Sequence, residues 1–161
     1  FALVTLDLDL FKSVNDTHGH AAGDFVLARV ADVLRAATRK IDIVARVGGD
    51  EFILLLPGLT DSGTVLDLAR RIIGDLEKPM LFEGRQCRIS ASAGASLSTL
   101  YPRPEAERML TDADTALYAS KHRGRGCATI HEPDLVHAED KRGAAATVKP
   151  GGGPHNGTGA T

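Results

Sequence analysis

The segment from residue 46 to 52, which reads Arg-Val-Gly-Gly-Asp-Glu-Phe, constrains the fold more than any other part of the chain. Strand-favouring residues flank its centre, at positions 43–45 and 52–56. Consecutive glycines between such runs predict a tight turn, because glycine adopts positive φ without steric cost. The segment therefore predicts a β-hairpin with Asp50 and Glu51 at its tip. Taken alone, such a tip is better explained as an ordinary solvated turn than as a site for a metal-bound phosphate.

A second polar group follows the first apolar run of the chain. Residues 1–4 read Phe-Ala-Leu-Val, and residues 6–16 read Leu-Asp-Leu-Asp-Leu-Phe-Lys-Ser-Val-Asn-Asp. The run predicts a strand that ends in the carboxylates of Asp7 and Asp9 and is followed by Lys12 and Asn15. This is an unusual use of a strand end, and it weakens the interpretation of the hairpin tip as an ordinary turn.

Three ordered motifs resemble those of the GGDEF family, the diguanylate cyclases. They are D-x-D-x-F-K-x-x-N-D-x-x-G-H-x-x-G-D at 7–24, G-G-D-E-F at 48–52, and A-D-x-A-L-Y-x-x-K-x-x-G-R at 113–125. Three motifs in order over about 120 residues are far more specific than any one of them. The chain departs from the family pattern at Gly126, where the family has Asn, and at Ser96, where the family is more apolar.

The hydrophobic pattern predicts an α/β (α+β) layer sandwich. Apolar residues at helical spacing predict three amphipathic helices, around residues 26–37, 65–76 and 106–117. Strand-like runs cover residues 2–6, 41–47, 52–56, 88–97 and 127–131. This order favours a mixed sheet with helices packed on it. The resemblance implies a mainly antiparallel central sheet, like that of nucleotidyl cyclases and the palm of polymerases.

Composition and length indicate one domain. The chain has 161 residues, 43% of them hydrophobic, and a net charge of −2, which gives no basic footprint for nucleic acid. No apolar run approaches the roughly 20 residues of a membrane span. We therefore expect a cytoplasmic segment without membrane contact, in a parent protein whose missing regions are free to carry an anchor. Residues 1–133 are predicted to form the GGDEF domain without its first D-x-L-T-G-L-x-N-R segment, and residues 134–161 a disordered tail.

The resemblance implies that two GTP molecules are joined into cyclic di-GMP with release of two pyrophosphates. Divalent cations stabilise the attacking and leaving oxygens of such a displacement, and Mg²⁺ prefers few carboxylates together with phosphate oxygens and water. Asp7 and Asp50 are able to supply the carboxylates if their strands are neighbours. The resemblance assigns Mg²⁺ or Mn²⁺ to these two residues and the backbone carbonyl of Leu8, and makes Asp50 the proton acceptor. Glu51 either assists the metal site or faces water.

Candidate substrate contacts lie between the first two motifs. Lys12 is close enough to Asp7 in sequence to neutralise developing phosphate charge, and the resemblance implies a role in the transition state, although a solvated lysine is the common alternative. Asn15 and Asp24 offer amide and carboxylate groups that match the donors and acceptors of guanine. The resemblance also assigns a substrate contact to His20, which has capping or packing of the loop as an equal alternative.

Two further pairs of residues complete the predicted site. Lys121 and Arg125 end the last predicted helix, where they either reach the terminal phosphates of GTP or are exposed helix-end cations. Arg39 and Asp42 form an R-x-x-D pattern with five residues between Asp42 and Gly48, the position of the family's product-binding inhibitory site. An arginine there is able to bind phosphate or guanine through two hydrogen bonds, and an ordinary helix-terminal arginine is the alternative.

Three classes of function follow from these residues. The first is a diguanylate cyclase that works as a domain dimer and is inhibited by its product. The second is a catalytically silent module that binds GTP or cyclic di-GMP, and the third is a dimerisation or scaffold domain. The intact motif at 48–52, with Asp7 and Lys12, favours the enzyme, because a receptor does not need metal-binding carboxylates.

Overall fold

The computed structural model describes residues 1–132, so the predicted tail at 134–161 lies outside the described residues. The described part contains seven strands and four α-helices. The strands are β1 (Ala2–Asp9), β2 (Ile43–Gly48), β3 (Glu51–Leu56), β4 (Met80–Phe82), β5 (Arg85–Cys87), β6 (Ser90–Leu97) and β7 (Ala128–Ile130). The helices are α1 (Phe11–His18), α2 (His20–Ala37), α3 (Ser62–Leu76) and α4 (Ala106–His122), with a 3₁₀ turn at Ser98–Leu100.

Five of the strands form the central sheet, in the order β2-β3-β1-β6-β7. Strand β1 is antiparallel to both of its neighbours, β2 is antiparallel to β3, and only β7 runs parallel to β6. Strands β4 and β5 form a separate two-stranded hairpin. The structure confirms the predicted fold class, an α+β arrangement with a mixed, mainly antiparallel sheet and flanking helices.

Alternation along β1 separates the two faces of the sheet. Val4 and Leu6 are buried on the face that packs against α3, where they meet residues such as Ile72. Thr5 and Asp7 point to the other face, where both line a cleft together with residues of α4. One strand therefore contributes apolar side chains to the core on one face and a carboxylate to a cleft on the other.

Helix α4 approaches β6 unusually closely at Gly94. A Cβ atom at this position would lie 2.1 Å from both the carbonyl oxygen of Ala113 and the backbone nitrogen of Leu117. The contact is reinforced by two buried serines, because Ser96 Oγ donates to the carbonyl of Met109 and Ser120 Oγ donates to the carbonyl of Ala93. The polar residue at position 96 is thus satisfied by the helix. Together these contacts fix the position of α4 on the sheet.

The predicted order lacked one helix and one hairpin. Helix α1 buries only Val14, so its eight residues give little apolar periodicity. Strands β4 and β5 have three residues each, too few to show alternation, and the hairpin turn at Glu83 and Gly84 has φ values of 47° and 79°. The predicted strand at 88–97 begins at Ser90, and β1 extends to Asp9 rather than ending at Leu6. These differences leave the sheet order unaffected.

Candidate active site

The end of β1 and the tip of the β2–β3 hairpin meet at one edge of the sheet. Asp7 is paired in register with Glu51, and the Leu8 N–H donates to the carbonyl oxygen of Asp50 at 3.1 Å. The tip itself is held by Arg46, whose Nε donates to the carbonyl oxygen of Gly49 at 2.8 Å. The strands are therefore neighbours, as the predicted metal site requires, and the site residues at 7, 8, 50 and 51 are brought together.

Several negative charges converge on Asp7. Burial is the main factor that raises the pKa of Asp7, and the carboxylates of Asp50 and Asp9 raise it further. The Lys121 ammonium lowers this pKa through a hydrogen bond and its charge, without cancelling the rise. Like-charged groups at such a site are stabilised by a cation, so the donor set of Asp7, Asp50 and the Leu8 carbonyl fits a hard divalent ion.

The described residues contain no cluster of three or more His, Cys, Asp or Glu side chains arranged to hold a metal ion. A site with two carboxylates is what Mg²⁺ uses when phosphate oxygens and water complete its coordination. Glu51 is exposed and lines the adjacent cleft, where it faces both water and the carboxylate of Asp7 across the two strands.

Both cations of the third motif contact carboxylates of β1. Lys121 Nζ donates to Asp7 Oδ1 at 2.5 Å, and Arg125 Nε lies 3.6 Å from Asp9 Oδ1. Asp9 is buried and accepts hydrogen bonds from Ser92 Oγ and the Gly126 N–H. Asp9 is therefore held in place by hydrogen bonds from Ser92 and Gly126. The end of α4 is bound to the end of β1 at two points.

The glycine at position 126, where the family has asparagine, fits the local backbone conformation. Its φ is +58°, in the left-handed region that glycine and asparagine both tolerate. Arg125 also has a positive φ of 66°, so the turn after α4 winds in this region over consecutive residues. Glycine at 126 is thus compatible with the turn that carries Arg125.

The two predicted guanine contacts lie on consecutive helices. The Asn15 side chain on α1 packs against the backbone of α2 at Gly23, where a Cβ atom would lie 1.9 Å from Asn15 Oδ1. Asp24 is the next residue and is exposed. The structure thus brings the Asn15 amide next to the residue that precedes Asp24. His20 is exposed at the first position of α2.

Helix α1 begins immediately after the carboxylates of β1, which the sequence analysis missed. Leu10 connects strand and helix with a φ of 69°, a left-handed conformation that is uncommon for a non-glycine residue. Lys12 lies exposed in the first turn of this helix, where backbone N–H groups have no partner within the helix. Such a helix start is favourable for anionic groups. The spacing of Phe11 and Val14 was the available signal for the helix.

A cleft of about 320 Å³ adjoins the carboxylates. It lies between α4, β1 and the hairpin, and its polar lining consists of Thr5, Asp7, Glu51, Asp114, Tyr118 and Lys121. A larger groove of about 750 Å³ lies elsewhere, between α2, α3 and β4, and contains none of the predicted catalytic residues. The smaller cleft is the one that adjoins the predicted site, because Asp7, Glu51 and Lys121 line it.

The predicted inhibitory pair lies at the opposite end of β3. Two Arg39 guanidinium nitrogens, Nη2 at 2.7 Å and Nε at 3.1 Å, donate to the carboxylate of Asp42. Nη2 also donates to the carbonyl oxygen of Pro57, just beyond the end of β3. The strand between Pro57 and the hairpin tip separates this pair from the metal residues by roughly 20 Å. Of the two R-x-x-D patterns, the other joins Arg29 to Asp32 at 3.5 Å within α2.

Among the helices of residues 1–132, none has the length and apolar character needed to cross a membrane.

Known proteins similar to this chain share its motifs and fold. Residues 1–127 match the family described as diguanylate cyclase, GGDEF domain. The chain is 43% identical over 143 residues to the probable diguanylate cyclase DgcE of Escherichia coli (strain K12), covering 89% of this chain and 13% of that protein. It is 38% identical over 138 residues to diguanylate cyclase A of Treponema denticola, covering 85% and 37% respectively. The GGDEF domain of DgcB from Caulobacter crescentus, solved in complex with c-di-GMP, superposes with a TM-score of 0.75 at 32% identity, over 81% of this chain and 77% of that one.

The chain therefore belongs to the GGDEF domain family of diguanylate cyclases. It spans 13% and 37% of the length of these two curated relatives.

Proposed function

We propose that this domain is an active diguanylate cyclase, which condenses two GTP molecules into cyclic di-GMP and two pyrophosphates. The observation that carries the proposal is the meeting of Asp7 and Leu8 with the tip of the Gly-Gly-Asp hairpin. A silent binding module has no need of two converging carboxylates at a strand end. Because GTP is the substrate, we place the domain in the cytoplasm.

The proposed mechanism assigns one task to each group around the strand ends. Asp7, Asp50 and the Leu8 carbonyl would hold Mg²⁺ or Mn²⁺, which would neutralise negative charge on the reacting phosphate oxygens, and Glu51 would support this set. The Asp50 carboxylate accepts the proton of the attacking 3′-hydroxyl. Lys12 neutralises the charge that develops on the phosphate in the transition state.

Binding and orientation of GTP depend on residues of three helices. The Asn15 amide and the Asp24 carboxylate, with His20 beside them, pair with the guanine edge. Lys121 and Arg125 bind the terminal phosphates, for which their position at the end of α4 next to β1 is suitable.

Two copies of the domain are needed for one product molecule. Each domain offers one GTP site, and cyclic di-GMP is symmetric, so two domains must face each other with their hairpin tips together. We therefore propose a homodimer as the active form. Its activity should rise more steeply than linearly with protein concentration where dimerisation is weak.

Product inhibition is proposed at Arg39 and Asp42. The guanidinium already makes two hydrogen bonds to a carboxylate, so its geometry suits a phosphate or a guanine edge equally well. Because the pair lies at the other end of β3, cyclic di-GMP bound there would act by keeping the two active sites apart.

The test is incubation of the purified chain with GTP and Mg²⁺ or Mn²⁺, with cyclic di-GMP and pyrophosphate quantified by chromatography. We expect product from the wild-type chain and none from Asp50→Asn, whose fold and GTP binding are checked by circular dichroism and calorimetry. A folded wild-type chain that binds GTP without forming product would instead identify the silent module. Near-normal turnover by Asp50→Asn would remove this residue from the mechanism.

A further inference from the structure

Lys121 and Asp7 have separate proposed tasks, yet the structure joins them directly. Asp7 belongs to the proposed metal site and Lys121 to the phosphate-binding group, and their side chains form an ion pair at 2.5 Å. The pair is well shielded, since the Lys121 side chain is 31% exposed and that of Asp7 only 13%. Lys121 Nζ therefore lies against the carboxylate that the metal would use.

The position of Lys121 is set by the packing of α4. Ser120, the preceding residue, donates to the Ala93 carbonyl and shares a hydrogen bond with Thr129. The absence of a side chain at Gly94 lets the helix backbone lie against β6. Lys121 can therefore leave Asp7 by a change of its own side-chain rotamers, without movement of the helix.

An ammonium group and a divalent cation satisfy Asp7 in different ways. The Asp7 carboxylate has Asp50 and Asp9 as like-charged neighbours, so it needs a compensating cation. Lysine provides a single charge and directed N–H donors, whereas a divalent ion provides two charges and draws oxygen ligands from several groups. Because like charges repel, an ammonium group and a divalent ion held by the same carboxylate weaken each other's binding.

We propose that Lys121 and the divalent cation compete for Asp7, and that binding of the cation releases the Lys121 ammonium to the terminal phosphates of GTP. The cation and the nucleotide are taken from the function proposed above, on which this inference rests. Lys121 then opposes binding of the cation alone and favours binding of the cation together with GTP. The result is positive coupling between the two ligands through one side chain.

The test is a titration of the nucleotide-free chain with Mn²⁺, in which free Mn²⁺ is measured by electron paramagnetic resonance. We expect Lys121→Met to bind Mn²⁺ about tenfold more tightly than the wild type, because an opposite charge at this distance is worth about that much. Lys78→Met is the matched control, since Lys78 pairs with Asp75 at 2.6 Å on an exposed surface that holds none of the metal residues. It should leave the Mn²⁺ affinity unchanged.

Two variants at position 7 establish where the gain arises. Asp7→Asn should weaken Mn²⁺ binding, and adding Lys121→Met to Asp7→Asn should restore none of it. A gain that persists without the Asp7 carboxylate would show that the competition is not for this group. Equal Mn²⁺ affinity of Lys121→Met and the wild type would overturn the proposal.

A measurement on the unmodified chain guards against misfolding of the variants. The ammonium resonance of Lys121, followed by nitrogen-15 NMR during a Mg²⁺ titration without nucleotide, should shift in proportion to Mg²⁺ occupancy. A resonance that stays constant while Mg²⁺ binds would overturn the competition. A chain that forms cyclic di-GMP yet shows neither effect would disprove the competition while leaving the proposed function intact.

Discussion

The two ion pairs at opposite ends of β3 are built in different ways. Arg39 and Asp42 are three residues apart and belong to one turn. The Arg39 N–H donates to the Asp42 carboxylate, and the Asp42 N–H donates to the Arg39 carbonyl. Lys121 and Asp7 are 114 residues apart and meet only because α4 is packed against the sheet. The local pair needs one turn of chain, whereas the distant pair needs the complete fold.

Their electrostatics differ accordingly. The Arg39 hydrogen bond holds the pKa of Asp42 below its ordinary value, and the same bond raises the pKa of Arg39. At Asp7 burial prevails, so the pKa is raised in spite of the Lys121 ammonium. The charge of Asp42 is thus compensated by Arg39, whereas a divalent cation would stabilise the Asp7 carboxylate more than Lys121 does.

Gly94→Ala should separate Lys121 from Asp7, and we expect it to have the largest effect of the substitutions considered. The added methyl group meets backbone atoms of α4 at 2.1 Å, so the helix has to move. We expect a loss of about 3 kcal/mol in the free energy of unfolding, measured with urea and circular dichroism. Cyclic di-GMP formation should fall about a hundredfold, because misplacement by about 1 Å is enough for such a loss.

The matched control is Gly74→Ala, on α3, where a Cβ atom meets nothing within 4 Å. It should stabilise the chain by about 0.5–1 kcal/mol, as alanine does within a helix. The variant Gly94→Ala should retain cyclic di-GMP binding at the Arg39 pair below its unfolding temperature. Equal stability and activity of the two alanine variants would show that α4 does not depend on this close approach.

The contact between Asn15 and Gly23 is local, like the Arg39–Asp42 pair, but involves no ion pair. It is the contact that we expect to control the selection of guanine. Gly23→Ala places a methyl group on the Asn15 amide, and Asn15→Ala removes that amide altogether. Both variants should reduce the preference for GTP over ATP at least about tenfold, since a guanine hydrogen bond is lost. The measurement is kcat/KM for each nucleotide, with Asp24→Ala as a third variant. An unchanged preference would mean that guanine is recognised elsewhere.

Arg39→Ala tests whether the local pair binds product. The inhibition constant for added cyclic di-GMP should rise about tenfold, as expected for loss of a charge-assisted contact. Arg29→Ala is the matched control, because Arg29 and Asp32 form the same R-x-x-D pattern but are each 55% exposed. It should leave inhibition unchanged. The same inhibition constant for Arg39→Ala and the wild type would exclude the inhibitory site and leave the cyclase proposal standing.

The smallest expected effect is a dependence of stability on pH at Asp42. A carboxyl group with a lowered pKa in the folded state stabilises the fold above its ordinary pKa of 3.8, and this contribution is lost as the pH falls below that value. The wild type should therefore exceed Arg39→Ala in unfolding free energy between pH 5 and 8 by a constant amount. Urea titrations should show the difference shrinking below about pH 4. A difference that is the same at pH 3 and pH 7 would contradict this assignment.

The sequence predicted what depends on local pattern. The hairpin at 48–51 follows from glycines between strand-favouring runs. Three motifs in order were enough to indicate the family, and the family resemblance was enough to predict a mixed, mainly antiparallel sheet. Helix α1 was missed because Val14 is its only buried residue, and burial of one side chain leaves no periodic signal.

Contacts between distant segments were beyond what one sequence allows. That Asp7 lies opposite Glu51 depends on the register of β1 against β3. The predicted metal site was conditional on the two strands being neighbours, and no pattern in the sequence established that condition. That Lys121 reaches Asp7 depends on the depth at which α4 packs, which is set by Gly94 and the two serines bonded to the helix. Neither residue nor spacing marked Gly94 as special, because its role appears only when the helix backbone is in place.

The double pairing of β1 has a consequence for how the domain opens. From Ala2 to Asp7 every residue of this strand is paired with both β3 and β6. Amide hydrogens in such a strand exchange with solvent only when the surrounding structure unfolds as a whole. The carboxylate of Asp7 is thus attached to one of the slowest-exchanging parts of the molecule. We therefore expect adjustment to a bound ligand to fall on side chains around Asp7, such as that of Lys121, rather than on the strand that carries it.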